Sequence, residues 1–395
     1  MKKICIIIIF AVLLSIVFYL IEPILTHNSG WTSLPKTTHL LPVKKHEESI
    51  TRKLDSTFQN IFLTLNTPAL SVAIGKNDTV VWANAIGYKD IKEKKPVSLT
   101  TTFRIGSTSK AITAMGTGIL LQNKKLNLTD KVKEYVPYVA NKLSDISIKQ
   151  LASHTSGIRN YDLCFCFPIW EYYNNDEYTH IEESVAVFNN DPLLFIPGTD
   201  FSYSTYNYTL LSAVIEGASG MTFPDFMKTS LFEPLGLKHI DFEGQSANTT
   251  HLSKFYSVEN NEYKEVSRVN NSNKWAGGGL IATPTDLVTL GNAFLNHKLY
   301  QKEILDTLIT PVTLANKTIN EQRYAIGWRN TTTNAVFKDK RKVNILHHAG
   351  VAHGATSVFI LFPEYNVTIS LLINKNHDVS DLFEFSYKLA QFFMT

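Results

Sequence analysis

The sequence predicts an α+β fold, with one antiparallel sheet built from both chain ends, flanking helices, and a mainly helical middle subdomain. Two observations carry this reading. β-rich runs cluster near the two ends, at 70–86 and 356–374, while helical patterns broken by Pro/Gly/Asn-rich loops fill about 123–320. An isolated hairpin is marginal in water, so the two distant hairpins are expected to share one sheet and one core. With 395 residues, 44% of them apolar, the chain has ample material for that core.

Taken in order, Met1-Lys2-Lys3 precedes an uncharged apolar run from Ile4 to Ile21. That is about the shortest stretch that spans a bilayer as a helix, and the leading lysines place the N-terminus on the cytosolic side. The expectation is a membrane anchor over 1–22, with the remainder lumenal or extracellular. A cleaved signal peptide competes with it, although no A-x-A-like site follows the run. The first arginine is Arg52, which argues against an Arg-rich transit peptide. Sequons at Asn77, Asn127, Asn207, Asn248, Asn270, Asn316, Asn330 and Asn366 permit glycosylation in the secretory pathway.

Residues 23–45, polar and broken by Pro23, Pro35 and Pro42, read as a linker. The domain proper is expected over 46–395, its α/β part at about 46–122 and 321–395 and its helical part at about 123–320. From His46, the spacing of Ile50, Leu54, Phe58, Ile61 and Leu65 predicts an amphipathic helix. Leu70–Ile74 and Val80–Ile86 predict strands joined by a turn at Asn77-Asp78. An apolar-rich helix is expected over Ser107–Gln122. Strands at Thr356–Phe362 and Val367–Asn374 flank the turn Pro363-Glu364-Tyr365-Asn366, and a last helix covers Asp381–Phe393.

Composition excludes several classes. A formal charge of +3 with no dense basic face argues against nucleic acid as a partner. Three cysteines make no disulfide scaffold: Cys5 lies in the apolar run, and Cys164 and Cys166 are too close to bridge without strain. No cofactor is expected, because Gly277-Gly278-Gly279 lacks a nucleotide-loop context. No metal is expected either, since His348 and His353 have no third ligand at a useful spacing. There is no Gly-x-Ser-x-Gly elbow.

The residues able to do chemistry are few. Ser107-Thr108-Ser109-Lys110 opens a helix, which puts serine and lysine on one face and the serine among helix N-terminal N–H groups. A buried amine with a lowered pKa can take the serine proton. Tyr203-Ser204-Thr205 precedes another helical run, where tyrosine and a hydroxyl residue can pass protons, although a core tyrosine with a helix cap explains it as well. His347-His348-Ala349-Gly350 leads into a strand, where glycine admits close backbone approach and His348 can meet a polar substrate end; an ordinary turn is the alternative. His154-Thr155-Ser156-Gly157 reads as a helix terminus and turn.

In this order, Ser-x-x-Lys, Tyr-Ser-Thr and His-x-Gly resemble the serine β-lactamase and penicillin-binding protein superfamily. The likeness is to its class C and D-Ala-D-Ala carboxypeptidase branch, and more closely to the serine β-lactamase-like proteins of animals. It extends over about 46–395 and includes Leu151-Ala152-Ser153-His154-Thr155-Ser156-Gly157. The resemblance implies a β-lactamase/transpeptidase-like fold and an acyl-enzyme formed from a peptide, amide or ester. Ser107 would be the nucleophile, Lys110 its proton partner, and Tyr203 the base and later the acid. The N–H groups of Ser107 and Val351 would form the oxyanion hole, and Thr205, His348 and Gly350 would contact substrate. Thr205 stands where the branch carries Asn, and His348-Ala349 where β-lactamases carry Lys-Thr; both departures weigh against β-lactam hydrolysis more than against acyl transfer. The animal group implies a mitochondrial inner-membrane or intermembrane-space placement as the alternative. A membrane-tethered scaffold, able to self-assemble, is the competing function.

Overall fold

The computed structural model describes residues 2–35, 48–163, 170–244 and 249–394. Its frame is a seven-stranded antiparallel sheet made of β1 (Ala69–Lys76), β2 (Thr79–Asp90), β3 (Lys95–Pro96), β4 (Arg329–Thr333), β5 (Val343–Ala352), β6 (Ala355–Phe362) and β7 (Val367–Ile373). The spatial order is β4-β5-β6-β7-β1-β2-β3. Register pairs Ile369 with Ile74, so the hairpins from the two chain ends meet in one sheet as expected. Asn77 and Asp78 both have positive φ, the conformation a tight β1–β2 turn of this twist requires.

Alternation explains the two layers. Leu70, Val72 and Ile74 face one way with Val358, Ile360 and Ile369, and they pack against α2 (Glu48–Leu65) and α6 (Val379–Ala390) through Leu54, Phe58, Leu382 and Leu389. On the opposite face, Ala73 and Ala83 meet Val288 of α5 (Pro284–Leu295). Phe359, Leu361 and Leu372 join the core of the helical body there, with α3 (Ser109–Gln122) and α4 (Thr205–Ser219). Phe58 is fully buried and meets Trp82 edge-on, centroids 5.6 Å apart. Phe58→Ala is expected to cost about 3–5 kcal/mol, read as a lower denaturation midpoint.

Two glycines seat the serine-bearing turn on the sheet. A Cβ at Gly350 would lie 1.9 Å from the Ile105 carbonyl oxygen, and one at Gly106, where φ is +49°, would lie 2.7 Å from that of Val351. Only backbone without side chains lets β5 approach the segment before α3 this closely.

Several expectations shift. The N-terminal run is helical over α1 (Lys2–Asn28), and its side chains from Ile4 to Phe18 are exposed. Among the described residues, however, no helix is long and apolar enough to cross a membrane. The segment expected as a linker carries the end of α1 and a two-residue strand, Thr32–Ser33, paired with Tyr263 and Glu262; residues 36–45, like His46, lie outside the described residues. So do Cys164, Cys166 and Asn248. Asn207 is fully buried and its amide is bonded to Ser156 and His154, so the fold closes that sequon to a glycan. The last helix is α over Val379–Ala390 and tightens to a 3₁₀ turn at Gln391–Phe393.

Candidate active site

Ser107 stands half-buried on the 3₁₀ turn Gly106–Thr108 that runs into α3. One turn on, Lys110 is fully buried. Its Nζ lies 3.2 Å from Ser107 Oγ, 3.2 Å from Thr205 Oγ1 and 2.6 Å from the Gly277 carbonyl oxygen. Burial drives the Lys110 pKa well below its ordinary value, and the positive charges of Arg329 and Lys274 push the same way.

Tyr203 precedes α4, whose first residue, Thr205, donates its N–H to Asn160 Oδ1. The Lys110 ammonium position is 4.8 Å from the Tyr203 ring centre. The Tyr203 hydroxyl is buried and lacks a hydrogen-bond partner of normal geometry. Burial pushes its pKa up to about 12, with Arg329 and the Ser107 hydroxyl restraining the rise. The phenol is therefore neutral at physiological pH.

A cavity of about 200 Å³ opens here, lined by Ser107, Tyr203, Thr205 and Val351 together with Asn160 and Lys274. The structure thus gathers five of the expected residues: Ser107, Lys110, Tyr203, Thr205 and Val351. His348 and Gly350 are not among the lining residues. His348 is buried behind Tyr203, its ring centre 6.3 Å away. Its Nδ1–H donates to the Ala349 carbonyl at 2.7 Å, and its Nε2 accepts the Tyr324 hydroxyl at 3.0 Å. Both its nitrogens are engaged, and burial with Arg329 holds its pKa well down. Gly350 serves the close approach to Ile105.

Sequence reasoning missed four supporting residues. Lys274 donates to the Tyr172 carbonyl at 2.8 Å and sits 4.6 Å from the Tyr172 ring centre. Burial lowers its pKa to about 7, helped by Arg104 and opposed by Glu243. Arg329 lies 5.4 Å from the Tyr203 ring centre and 5.1 Å from that of Tyr324. His154, read as part of a turn, has the positive φ of one, yet its ring packs 4.3 Å from Tyr203 and its Nε2 has no partner. Asn160 anchors the start of α4. His154 lay in a stretch shared with the family but had no role assigned to it, and Lys274, Arg329 and Asn160 carried no local motif.

Known proteins resemble this chain over most of its length. The chain is 29% identical over 383 residues to the serine beta-lactamase-like protein LACTB, mitochondrial, of Homo sapiens, covering 76% of this chain and 70% of that protein. It is 26% identical over 323 residues to penicillin-binding protein 4* of Bacillus subtilis, covering 78% and 68%. Among solved structures, the fold matches a D-amino acid amidase from Ochrobactrum anthropi with a TM-score of 0.72 at 18% identity, over 85% of this chain and 98% of the other. It also matches an octameric penicillin-binding protein homologue from Pyrococcus abyssi, with a TM-score of 0.69 at 21% identity, over 86% and 76%. A profile of the Beta-lactamase family fits residues 54–390, most of the chain, and the protein belongs to that family.

Proposed function

We propose that the protein is a serine hydrolase that cleaves an amide or ester through an acyl-enzyme on Ser107. The observation that carries this is the buried Lys110 amine 3.2 Å from Ser107 Oγ, held there by Thr205 and Gly277. A neutral amine has two N–H donors and one lone pair. The donors suit Thr205 Oγ1 and the Gly277 carbonyl, which leaves the lone pair for the Ser107 hydroxyl proton.

In this reading Lys110 is the base. Ser107 Oγ bonds to the substrate carbonyl carbon as its proton passes to Lys110 Nζ. The oxyanion meets the N–H groups of Ser107 and Val351. The C–N or C–O bond then breaks, and the leaving group takes a proton from the neutral Tyr203 phenol, which Lys110 reprotonates. Water repeats the sequence on the acyl-enzyme and releases the acid. Thr205 acts by orienting Lys110, so Thr205→Ala should slow acylation and shift substrate preference together. Titration with a fluorescent phosphonate tests the reading: one label per chain is expected, and no labelling of folded protein favours the scaffold. A library of peptides and esters then identifies the acyl group.

For placement, the name of the Homo sapiens relative favours mitochondria over the secretory route, and we propose the mitochondrial alternative. Fractionation should find the protein protected from protease inside mitochondria, with no gel shift after glycosidase treatment. A glycosidase-sensitive form would overturn this placement.

A further inference from the structure

A second cavity, about 410 Å³, lies on the far side of the turn Ser272–Lys274 from Ser107. Lys274 lines the Ser107 cavity, while its neighbours Asn273 and Trp275 line this one, so the two spaces are distinct. Aromatic residues contribute to its walls, among them Tyr138, Tyr178, Phe223 and Trp275.

Two acceptors among its lining residues are incompletely paired. Glu216, on α4, accepts the Phe223 N–H at 2.8 Å on one carboxylate oxygen, and among the described residues nothing donates to the other. Asn273 is 2% exposed, and among the described residues its side-chain oxygen has no hydrogen-bond partner. No lysine or arginine lines the cavity, and His180 and Glu182 sit exposed among its lining residues. A half-buried carboxylate without a cation and a buried amide oxygen without a donor are both costly unless something completes them. Ring faces, for their part, attract cations.

We propose that this cavity binds a small organic ammonium ligand, its charge facing Glu216, the aromatic walls around it, and a donor group reaching Asn273. Burial raises the Glu216 pKa, with the Phe223 N–H and His180 opposing the rise.

Calorimetry on the full chain tests this, with choline as the probe and 3,3-dimethylbutan-1-ol as its neutral isostere. Choline should bind, and the isostere should bind at least about tenfold more weakly. Glu216→Gln keeps the acceptor for Phe223 and should weaken choline by about tenfold or more with the melting temperature unchanged. Tyr178→Leu, on a separate element, should weaken it severalfold and serves if the first variant misfolds. No binding at millimolar choline, equal affinity for the isostere, or unchanged binding in the folded variants would overturn the assignment.

Discussion

Replacing Ser107 with alanine is expected to lower the rate of covalent labelling by activated esters by more than about 10³-fold, to the background of the reagent. Loss of one oxyanion donor alone costs about 10²–10³ in known cases, and loss of a nucleophile costs more. The fold should persist. Ser107 holds its place through backbone that Gly106 and Gly350 seat on β5, and its hydroxyl interacts with Lys110 and Tyr203. Lys110 keeps Thr205 and Gly277 in the variant. One lost hydrogen bond is worth about 1 kcal/mol, so a melting curve close to wild type, with labelling gone, is the expected pair of results.

Lys110→Met, which retains the length of the stem, should slow acylation by about 10²–10⁴-fold. Tyr203→Phe should slow it as well without weakening the fold, because the hydroxyl it removes is buried and unpartnered. The double variant should lose far less than the product of the two, since both residues serve one proton path. The pH profile separates base from scaffold. Lys110 accepts a proton only as the free amine, and burial with two positive neighbours lowers its pKa. Acylation should therefore climb with pH through that lowered pKa and level off well below the ordinary lysine value of 10.5. In Lys110→Met the climb should vanish. A wild-type rate still rising toward pH 10 would show that another group takes the proton.

Legibility in the sequence followed the range of each signal. The hairpins at 70–86 and 356–374 showed themselves by local apolar runs and turn residues, and their shared sheet followed from the instability of either alone. β5 was harder to see: from Leu346 to Ala352 burial alternates, but His348 and Gly350 fill inward positions while the apolar Val351 faces outward, so the residue types do not alternate as a strand's usually do. Ser107 and Lys110 were visible because helix spacing joins them. Tyr203, Thr205 and Val351 were visible through the resemblance of their motifs. Lys274, Arg329 and His154 reach the site from a turn, an edge strand of Thr and Asn, and a left-handed corner; only folding brings Lys274 to the cavity and the other two beside Tyr203. Nor did any motif record the surroundings of His348, whose two nitrogens are held by Tyr324 and the Ala349 carbonyl.

The most direct measurement is mass spectrometric mapping of the protein quenched during reaction with a fluorescent phosphonate. A single adduct on the peptide carrying Ser107, absent from Ser107→Ala, is the predicted result. An adduct on another residue, or full labelling of Ser107→Ala, would contradict the acyl-enzyme account.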